Sequence, residues 1–503
     1  MRRIVVSIFV VMCALGCQPV PAAEAAAQSP PKDSGKIPIT TRSAEARAIF
    51  LRGRTLNENL QAHEAHAVFQ QAVGLDPSFA FGEYSLATTS PTARERDEHL
   101  QKALALSDKA SIGERLLILG FKARTHGDPD RARQIADSLV AQYPADERAH
   151  WTLANACSAQ QRYARAIDEF NAAIAINPRY SLAYNQLGYA YRSAGRMAAA
   201  ESAFKQYIAL VPNDPNPYDS YAELLMKSGR FDESIVQYRK AQSIDQHFAG
   251  AFVGIAADEL FAGRYEAAVI EAERYLNVAR DDGERRSALV TLAMIHVEHG
   301  ATVKALRAME RRSAIASAIG DTVNMSADGV IVAEILLEAR RPEAARERFD
   351  RAHALLAASS VDADLKQDDA LGAHYDAARI ALAKNMLPAA RAEAIAYAAG
   401  ASARHNDARA RQAHELTGLV ALASKMFQES LTEFVLADQQ NPAVLAATAR
   451  AYTGRGETAK AQELESQARH MNILPTFPYM FTRASLAAAT PSATSGSAGE
   501  MPR

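Results

Sequence analysis

The chain has 503 residues, a formal net charge of −2 and 23% charged residues, so its overall charge gives no reason to expect nucleic acid or acidic lipid as a target. Its three cysteines are Cys13, Cys17 and Cys157, and the first two fall in an apparent leader, which excludes a disulfide framework in the mature chain. This length suits several domains or one long repeat array.

The first residues have the features of an export signal. Arg2 and Arg3 make the start basic, and residues 4–15 form an apolar run too short to span a membrane as a mature helix. The run ends in Ala14-Leu15-Gly16-Cys17, which resembles the bacterial lipobox, although Ala14 stands where that motif has leucine. We therefore predict a signal peptide over residues 1–17.

The resemblance to a lipobox implies lipidation of Cys17. Gln18, rather than aspartate, comes next, which by the same resemblance implies the periplasmic face of the outer membrane. The alternative is ordinary cleavage near Ala23, which would give a soluble periplasmic or secreted protein. Residues 18–41 are rich in Pro, Ala, Ser and Gln and predict a flexible linker.

Helical periodicity begins near Ser43 and predicts an N-terminal array over residues 42–280, with early helix pairs from Ala46, Ala80 and Gly113. From Glu147 the pattern becomes four consecutive copies of one 34-residue unit. The copies start at Glu147, Ser181, Pro215 and Ala249.

The four copies agree at spaced positions. The eighth residues are small: Ala154, Gly188, Ala222 and Ala256. The twentieth are Ala166, Ala200, Ser234 and Ala268, and the twenty-fourth are Phe170, Phe204, Tyr238 and Ala272. Glycine at the fifteenth position in three copies, absent only where Gln161 replaces it, predicts a turn between two helices. The small residues allow the helices to approach, and one pair cannot bury its own apolar face, so the pairs must stack.

This pattern resembles the tetratricopeptide repeat (TPR) family, with Leu187, Gly188, Tyr191, Ala200, Phe204 and Pro212 matching within one unit. The resemblance implies an all-α fold, a right-handed α-solenoid of about twelve TPR helix hairpins. A generic alanine-rich helical array is the alternative, and the common register of four copies argues against it.

Beyond residue 280 the spacing loosens, and we predict a second, looser TPR array over residues 281–475. Within it, Ile319–Asp328 and Ala358–Gln367 look like longer links. Residues 476–503 are predicted to form a capping strip over the end of the stack and a disordered tail.

The search for catalytic and metal-binding patterns returns none that hold, so we expect no catalytic residue, cofactor or metal. His63 and His66, and His296 and His299, are three residues apart and could share a metal, but packing or surface histidines are the favoured interpretation. Cys157 falls in the middle of a first helix, which favours a buried, unreactive thiol.

The family resemblance implies that first-helix positions two, five, nine and twelve line a concave groove. The candidate partner-binding residues are Arg148, Trp151, Asn155, Asn185, Tyr189, Arg192, Asp219 and Glu223. Amides and guanidinium groups suit an extended peptide. The family's carboxylate clamp needs a basic residue four positions before an asparagine, and Trp151 stands there before Asn155.

We therefore expect a non-catalytic protein-interaction scaffold of the bacterial cell envelope, binding a protein or extended peptide and no nucleic acid. By analogy with similar lipoproteins it would assist assembly of an envelope machine, and it would meet the membrane only through a lipid at Cys17. The alternatives are an enzyme, which needs a cluster of titratable groups, and a small-ligand sensor, which needs an enclosed pocket, in the groove or the C-terminal half.

Overall fold

The computed structural model describes residues 35–59, 61–90, 93–125, 127–361, 363–403 and 407–488. Across these residues every long regular element is an α-helix and no strand is found, which confirms the all-α prediction. The first twelve helices are α1 (Ala44–Glu58), α2 (Ala62–Leu75), α3 (Ala80–Thr89), α4 (Ala93–Leu106), α5 (Ile112–Thr125), α6 (Pro129–Gln142), α7 (Glu147–Ala159), α8 (Tyr163–Ile176), α9 (Ser181–Ser193), α10 (Met197–Leu210), α11 (Asn216–Lys227) and α12 (Phe231–Ile244).

The remaining helices are α13 (Ala249–Phe261), α14 (Tyr265–Val278), α15 (Asp282–Glu298), α16 (Thr302–Ala318), α17 (Thr322–Glu338), α18 (Pro342–Ala358), α19 (Ala363–Ala383), α20 (Leu387–Ala403), α21 (Asp407–Ala423), α22 (Phe427–Leu436), α23 (Pro442–Gly454), α24 (Thr458–Arg469) and α25 (Phe477–Ala488). The first twenty-four helices are twelve hairpins, which matches the predicted number.

The four core copies begin where the sequence predicts. First helices start at residues 147, 181, 216 and 249, each within one residue of the predicted start. Second helices start at 163, 197, 231 and 265, which are 34 residues apart. The small residue at position eight explains how closely each pair packs. A Cβ atom added to Gly188 would lie 2.6 Å from a ring carbon of Phe204, and Gly418 has the same relation to Phe434.

The turn inside each core hairpin contains one residue in the left-handed conformation. Gly195 has φ +74°, and Gln161, which replaces glycine in the first copy, has φ +58°. A residue with a side chain is strained in the left-handed conformation. Gln161 therefore makes the first turn energetically less favourable than glycine would, although the turn has the same geometry.

The loosened spacing beyond residue 280 has a simple cause. Helices α15 to α18 each have 17 residues, against 12 to 14 in the core copies, and first helices begin at residues 282, 322 and 363, which lengthens the repeat to 40–41 residues. The predicted links at Ile319–Asp328 and Ala358–Gln367 are therefore wrong, because α17 and α19 begin inside them. Asp328 is fully buried and accepts hydrogen bonds from Arg286. It is therefore a paired core residue and not part of a surface link.

The hairpins divide into two compact units. The N-terminal unit contains described residues 35–228 and 236–248, and the C-terminal unit contains 229–235 and 249–488. Each unit has its own apolar core.

Candidate functional site

An extended stretch at residues 35–42, the N-terminal segment, packs against the first helices of the N-terminal unit. Its backbone N–H groups donate to carboxylates of successive hairpins: Ile37 to Asp146 (2.7 Å), Thr40 to Glu114 (2.7 Å) and Arg42 to Asp76 (2.9 Å). Ile37 and Ile39 are buried in the core beside them. The segment therefore crosses the hairpins in reverse chain order, held mostly through its backbone.

Asp146 and Arg148 together bind both backbone groups of Ile37. Asp146 is fully buried and accepts from Ile37 N, while Arg148 Nη2 donates to the Ile37 carbonyl oxygen (3.2 Å) and also to Asp146. Burial alone would raise the pKa of Asp146, but the hydrogen bonds from Arg148 and Ile37 outweigh burial, and the pKa is lowered.

This arrangement changes the interpretation of two predicted features. Arg148, a predicted partner-binding residue, holds the chain's own N-terminal segment. The flexible linker expected over residues 18–41 is ordered and docked from residue 35 onward, because backbone-binding carboxylates secure it. The rest of that linker, and the predicted signal peptide with Cys17, lie outside the described residues.

Two other predicted groove residues, Trp151 and Asn185, each have a buried polar atom without a hydrogen-bond partner among the described residues. Trp151 packs against Tyr180 and Leu182, and its buried Nε1 has no acceptor among the described residues. Asn185, at the equivalent position of the following repeat, is 4% exposed, and its buried Oδ1 has no donor in the same part of the chain. Asn155 is different, because its amide nitrogen donates to the Trp151 carbonyl oxygen (2.7 Å) on its own helix.

Further along the groove, α9 and α11 are joined by polar contacts. The Tyr189 hydroxyl donates to Ser220 Oγ (3.2 Å), and Arg192 Nη1 donates to Glu223 (3.0 Å). The Arg192 guanidinium also lies 4.7 Å from the centroid of the Tyr189 ring, and Phe204 supports that ring from behind. Burial raises the pKa of Tyr189 well above its usual value, so the hydroxyl keeps its proton. The structure thus brings Tyr189, Arg192 and Glu223 into one cluster.

Asp219 and Lys227 extend this cluster along α11. Burial, and then the charge of Glu223, raise the pKa of Asp219 well above its usual value. Burial, and then the charge of Arg192, lower the pKa of Lys227 to about 8. Groups of both signs therefore meet in a half-buried groove, where electrostatic interactions are stronger than in bulk water.

In the C-terminal unit the corresponding groove is occupied by the chain itself. Residues from Leu474 through α25 cross the faces of α13, α15 and α23, and Phe477, Tyr479 and Met480 are buried there. The Tyr479 hydroxyl accepts from Asn472 N (2.8 Å) and donates to the Arg469 carbonyl oxygen (3.1 Å). The strip predicted to cover the end of the stack thus reaches back over several repeats.

Arg483 fastens α25 to first helices that precede it by some 200 residues of chain. Its Nε donates to Glu298 (3.1 Å), and its guanidinium lies 4.6 Å from the Phe261 ring centroid. The groove positions that the fourth core copy supplies, Val253, Ala257 and Leu260, are apolar and buried. This groove holds an aromatic helix and excludes water from its floor.

Two other ionisable side chains are buried in the C-terminal unit. Asp258 of α13 is fully buried, and burial raises the pKa of its carboxyl to about 8. His353 lies between Asp369 (2.9 Å) and Asp376 (3.2 Å). Burial alone would lower the pKa of His353, but these two carboxylates raise it to about 9.

The histidines that could share a metal have other contacts. His66 Nδ1 bonds to Thr89 Oγ1 (3.0 Å), and His296 Nδ1 to the Tyr265 hydroxyl (2.9 Å). Across the described ranges, no group of three His, Cys, Asp or Glu side chains is placed to hold a metal ion.

Cys157 is fully buried, and burial raises the pKa of its thiol. Among the described helices, none combines the length and apolarity needed to cross a membrane.

Comparison with protein-family models identifies the repeats. One model described as tetratricopeptide repeat matches residues 122–181 and 160–215, and a second model with the same description matches residues 216–248. Residues 122–248 match tetratricopeptide repeats. The matched repeats include the first three of the four core copies, where Asn185, Tyr189, Asp219 and Glu223 lie.

Part of the chain is similar to a curated protein. Tetratricopeptide repeat protein 28 of Mus musculus is 27% identical over 164 residues, which are 32% of this chain and 7% of that protein. The chain therefore matches only a small part of that relative's length.

Among solved structures, a MamA protein is 21% identical with a TM-score of 0.29, covering 34% of this chain and 96% of its own. A tetratricopeptide repeat protein from Parabacteroides merdae is 14% identical with a TM-score of 0.36, covering 51% and 96%. The protein TTC0263 of Thermus thermophilus is 22% identical with a TM-score of 0.29, covering 43% and 99%.

Sequence reasoning missed the residues that bind the chain's own segments. Asp146 could have been noticed as the helix-capping residue before Glu147, but nothing local indicates that it also binds Ile37 across 109 residues of sequence. Phe477, Tyr479, Phe481 and Arg483 gave a clearer signal, since aromatic residues beside an arginine are typical of a docked helix.

Proposed function

We propose that this protein is an exported, non-catalytic scaffold that binds an extended segment of a partner protein in the groove of its N-terminal unit. The observation that carries the proposal is Asn185, whose buried Oδ1 lacks a donor within the described residues. A buried, unpaired polar atom costs about 1–3 kcal/mol, which a ligand N–H group would recover. Trp151 Nε1 is the complementary donor in the preceding repeat.

The contrast with the C-terminal unit favours this choice of groove. There the apolar floor is already covered by α25, so a partner would first have to remove buried aromatic side chains. In the N-terminal unit, the N-terminal segment shows that these first helices can hold an extended chain by its backbone groups. Tyr189 and Trp151 would add large, rigid contact areas for a partner.

The proposal can be tested with the double variant Trp151→Ala, Tyr189→Ala. Partners crosslinked to the intact protein in living cells and identified by mass spectrometry should be lost from the variant, because both anchoring rings are removed. Ser202→Ala, Gln206→Ala is the matched control, since both residues are exposed on α10. Circular dichroism confirms that each variant is folded. An unchanged partner set in the groove variant would contradict the proposal.

We also propose that the protein is a lipoprotein on the periplasmic face of the outer membrane, where it assists assembly of an envelope machine. The support is the sequence Ala14-Leu15-Gly16-Cys17. Seventeen residues would separate Cys17 from the docked residue 35, a reach of at most about 60 Å. Cys17→Ser should abolish incorporation of labelled palmitate and shift the protein from the membrane fraction to the soluble one. Labelling that persists in the variant would reject lipidation at this residue.

A further inference from the structure

Asn185 and Asp219 lie on two helices that contact each other, α9 and α11, and Asn185 Oδ1 has no donor among the described residues. Tyr189 contacts Ser220, and Arg192 contacts Glu223, so a residue of α9 meets the α11 residue 31 positions later. The same offset sets Asn185 beside Asn216, within one helical turn of Asp219. Asn185 and Tyr189 are four residues apart, as are Asp219 and Glu223, so each pair shares one helix face.

The two groups differ in burial. Asn185 is 4% exposed, and its Oδ1 has no donor among the described residues. Asp219 on α11 is half-buried. The nearest cation on α9 is committed elsewhere, because Arg192 binds Glu223 and stacks on Tyr189. Lys227 lies two helical turns beyond Asp219 on α11.

The electrostatics of Asp219 agree with a missing counter-ion. Burial, and then the like charge of Glu223, raise the pKa of its carboxyl well above the usual value. A carboxylate that is crowded by protein and has no cation beside it favours the protonated form. A positive charge placed next to it would restore ionisation and form a charge-assisted hydrogen bond.

We propose that Asp219 and Asn185 receive the cationic side chain of a lysine or arginine in the bound partner segment. Such a group brings several N–H donors and one positive charge, which match a carboxylate and an amide oxygen. The ring of Tyr189, on the same face as Asn185, offers an aromatic surface to the cation or its aliphatic stem. The inference rests on the proposed function, since it assigns the chemistry of the segment that the groove binds.

An acidic segment is the competing possibility, because Arg192 and Lys227 are also present. Arg192 would have to leave Glu223 to bind it, and the freed carboxylate of Glu223 would repel it. The basic segment requires no rearrangement, so the geometry favours it.

The test selects binders from a random dodecapeptide phage library on immobilised full-length protein. Peptides selected on the wild type should share a lysine or arginine at one position, and replacing that residue by methionine should weaken binding at least about tenfold. Asp219→Asn should weaken the original peptides by a similar factor, and Asp219→Lys should restore binding when the peptide's basic residue is changed to glutamate. Asp168→Asn and Asp168→Lys, on the exposed face of α8, are matched controls that should leave binding unchanged.

The outcomes separate the two proposals. Selected peptides that lack a basic residue, or that bind Asp219→Asn as tightly as the wild type, overturn the basic-segment inference and leave groove binding intact. Acidic peptides that depend on Arg192 overturn it in favour of the competing segment. Failure of the wild type to select any peptide whose binding depends on Trp151 and Tyr189 overturns the proposed function itself.

Discussion

The two units use the same helix hairpin to build grooves of opposite character. In the N-terminal unit the first helices present Asn185, Arg192, Asp219 and Glu223, whereas α13 presents Val253, Ala257 and Leu260 at equivalent positions. The apolar groove is filled by α25, and in the polar groove Asn185 Oδ1 has no donor among the described residues. Covering an apolar groove permanently lowers the free energy of the folded chain. A polar groove is stabilised by a ligand whose donors and acceptors pair with its own.

The two occupants are also held by different forces. Carboxylates hold the N-terminal segment by its backbone, and aromatic burial holds α25. Substitutions in the two units should therefore respond differently to acid, and the following changes test this from the largest expected effect to the smallest.

Tyr479→Ala should destabilise the protein by about 3–5 kcal/mol, because it removes a fully buried ring that packs on Phe261 and leaves a cavity. Urea unfolding followed by circular dichroism gives the free energy, and hydrogen exchange should rise in α13, α15 and α23. Tyr479→Phe, which loses only the hydroxyl contacts, should cost about 1–3 kcal/mol. An alanine variant as stable as the wild type would show that α25 is not part of the core.

Asp146→Ala should cost about 3 kcal/mol near pH 7, because Arg148 is left buried without its partner and Ile37 N loses its acceptor. The folded-state pKa of Asp146 is lowered, so its contribution is present above the unfolded pKa and is lost as the pH falls through the folded one. Unfolding measured at pH 7 and in acid should show the difference from wild type shrinking. A difference of the same size at both pH values would contradict the ionic description of this contact.

Asp258→Asn tests the opposite pH dependence at a fully buried carboxyl of α13 in the C-terminal unit. The pKa of Asp258 is raised from 3.8 to about 8, so its contribution is full below the unfolded pKa and is lost as the pH rises through the folded one. The free energy of unfolding of the wild type relative to the variant should therefore fall between these values, by at most about 1.4 kcal/mol per pH unit. Urea titrations across this range measure it, and a constant difference would show that Asp258 is ionised when folded.

Turn substitutions provide the smallest change and leave both grooves intact. Gln161→Gly should stabilise the protein by up to about 1 kcal/mol, because Gln161 has a positive φ that glycine adopts without strain. Gly195→Ala should cost about 1 kcal/mol at the equivalent turn, where an added Cβ meets no neighbour and only the backbone is strained. Thermal melts measure both, and shifts of the same sign would contradict the shared turn geometry.

The sequence predicted what depends on neighbours along the chain. The period, the hairpin starts and the small residues at Ala154 and Gly188 follow from contacts within one repeat or between adjacent repeats. The occupants of the grooves could not be predicted, because Ile37 and Asp146 are 109 residues apart and Glu298 and Arg483 are 185 apart. No local pattern contains such pairings.

The misread links show a second limit. Asp328 falls at the end of one predicted link, but it lies inside α17 and is paired with Arg286 in the core. In a single sequence, the two residues of a buried ion pair are easily mistaken for exposed charged residues, because here they are 42 residues apart. For the candidate groove, the sequence alone indicated which residue types line it. It did not indicate that Arg148 binds the chain's own N-terminal segment.

The distance along the chain between α15 and α25 sets a problem of timing during synthesis. Arg483 is made 185 residues after Glu298, which takes roughly 10–40 s at a ribosomal rate of about 5–20 residues per second. Throughout that interval the faces of α13 and α15 are without the helix that finally covers them. The C-terminal unit is therefore the part of the nascent polypeptide most exposed to aggregation, and the part for which a holding chaperone would matter most.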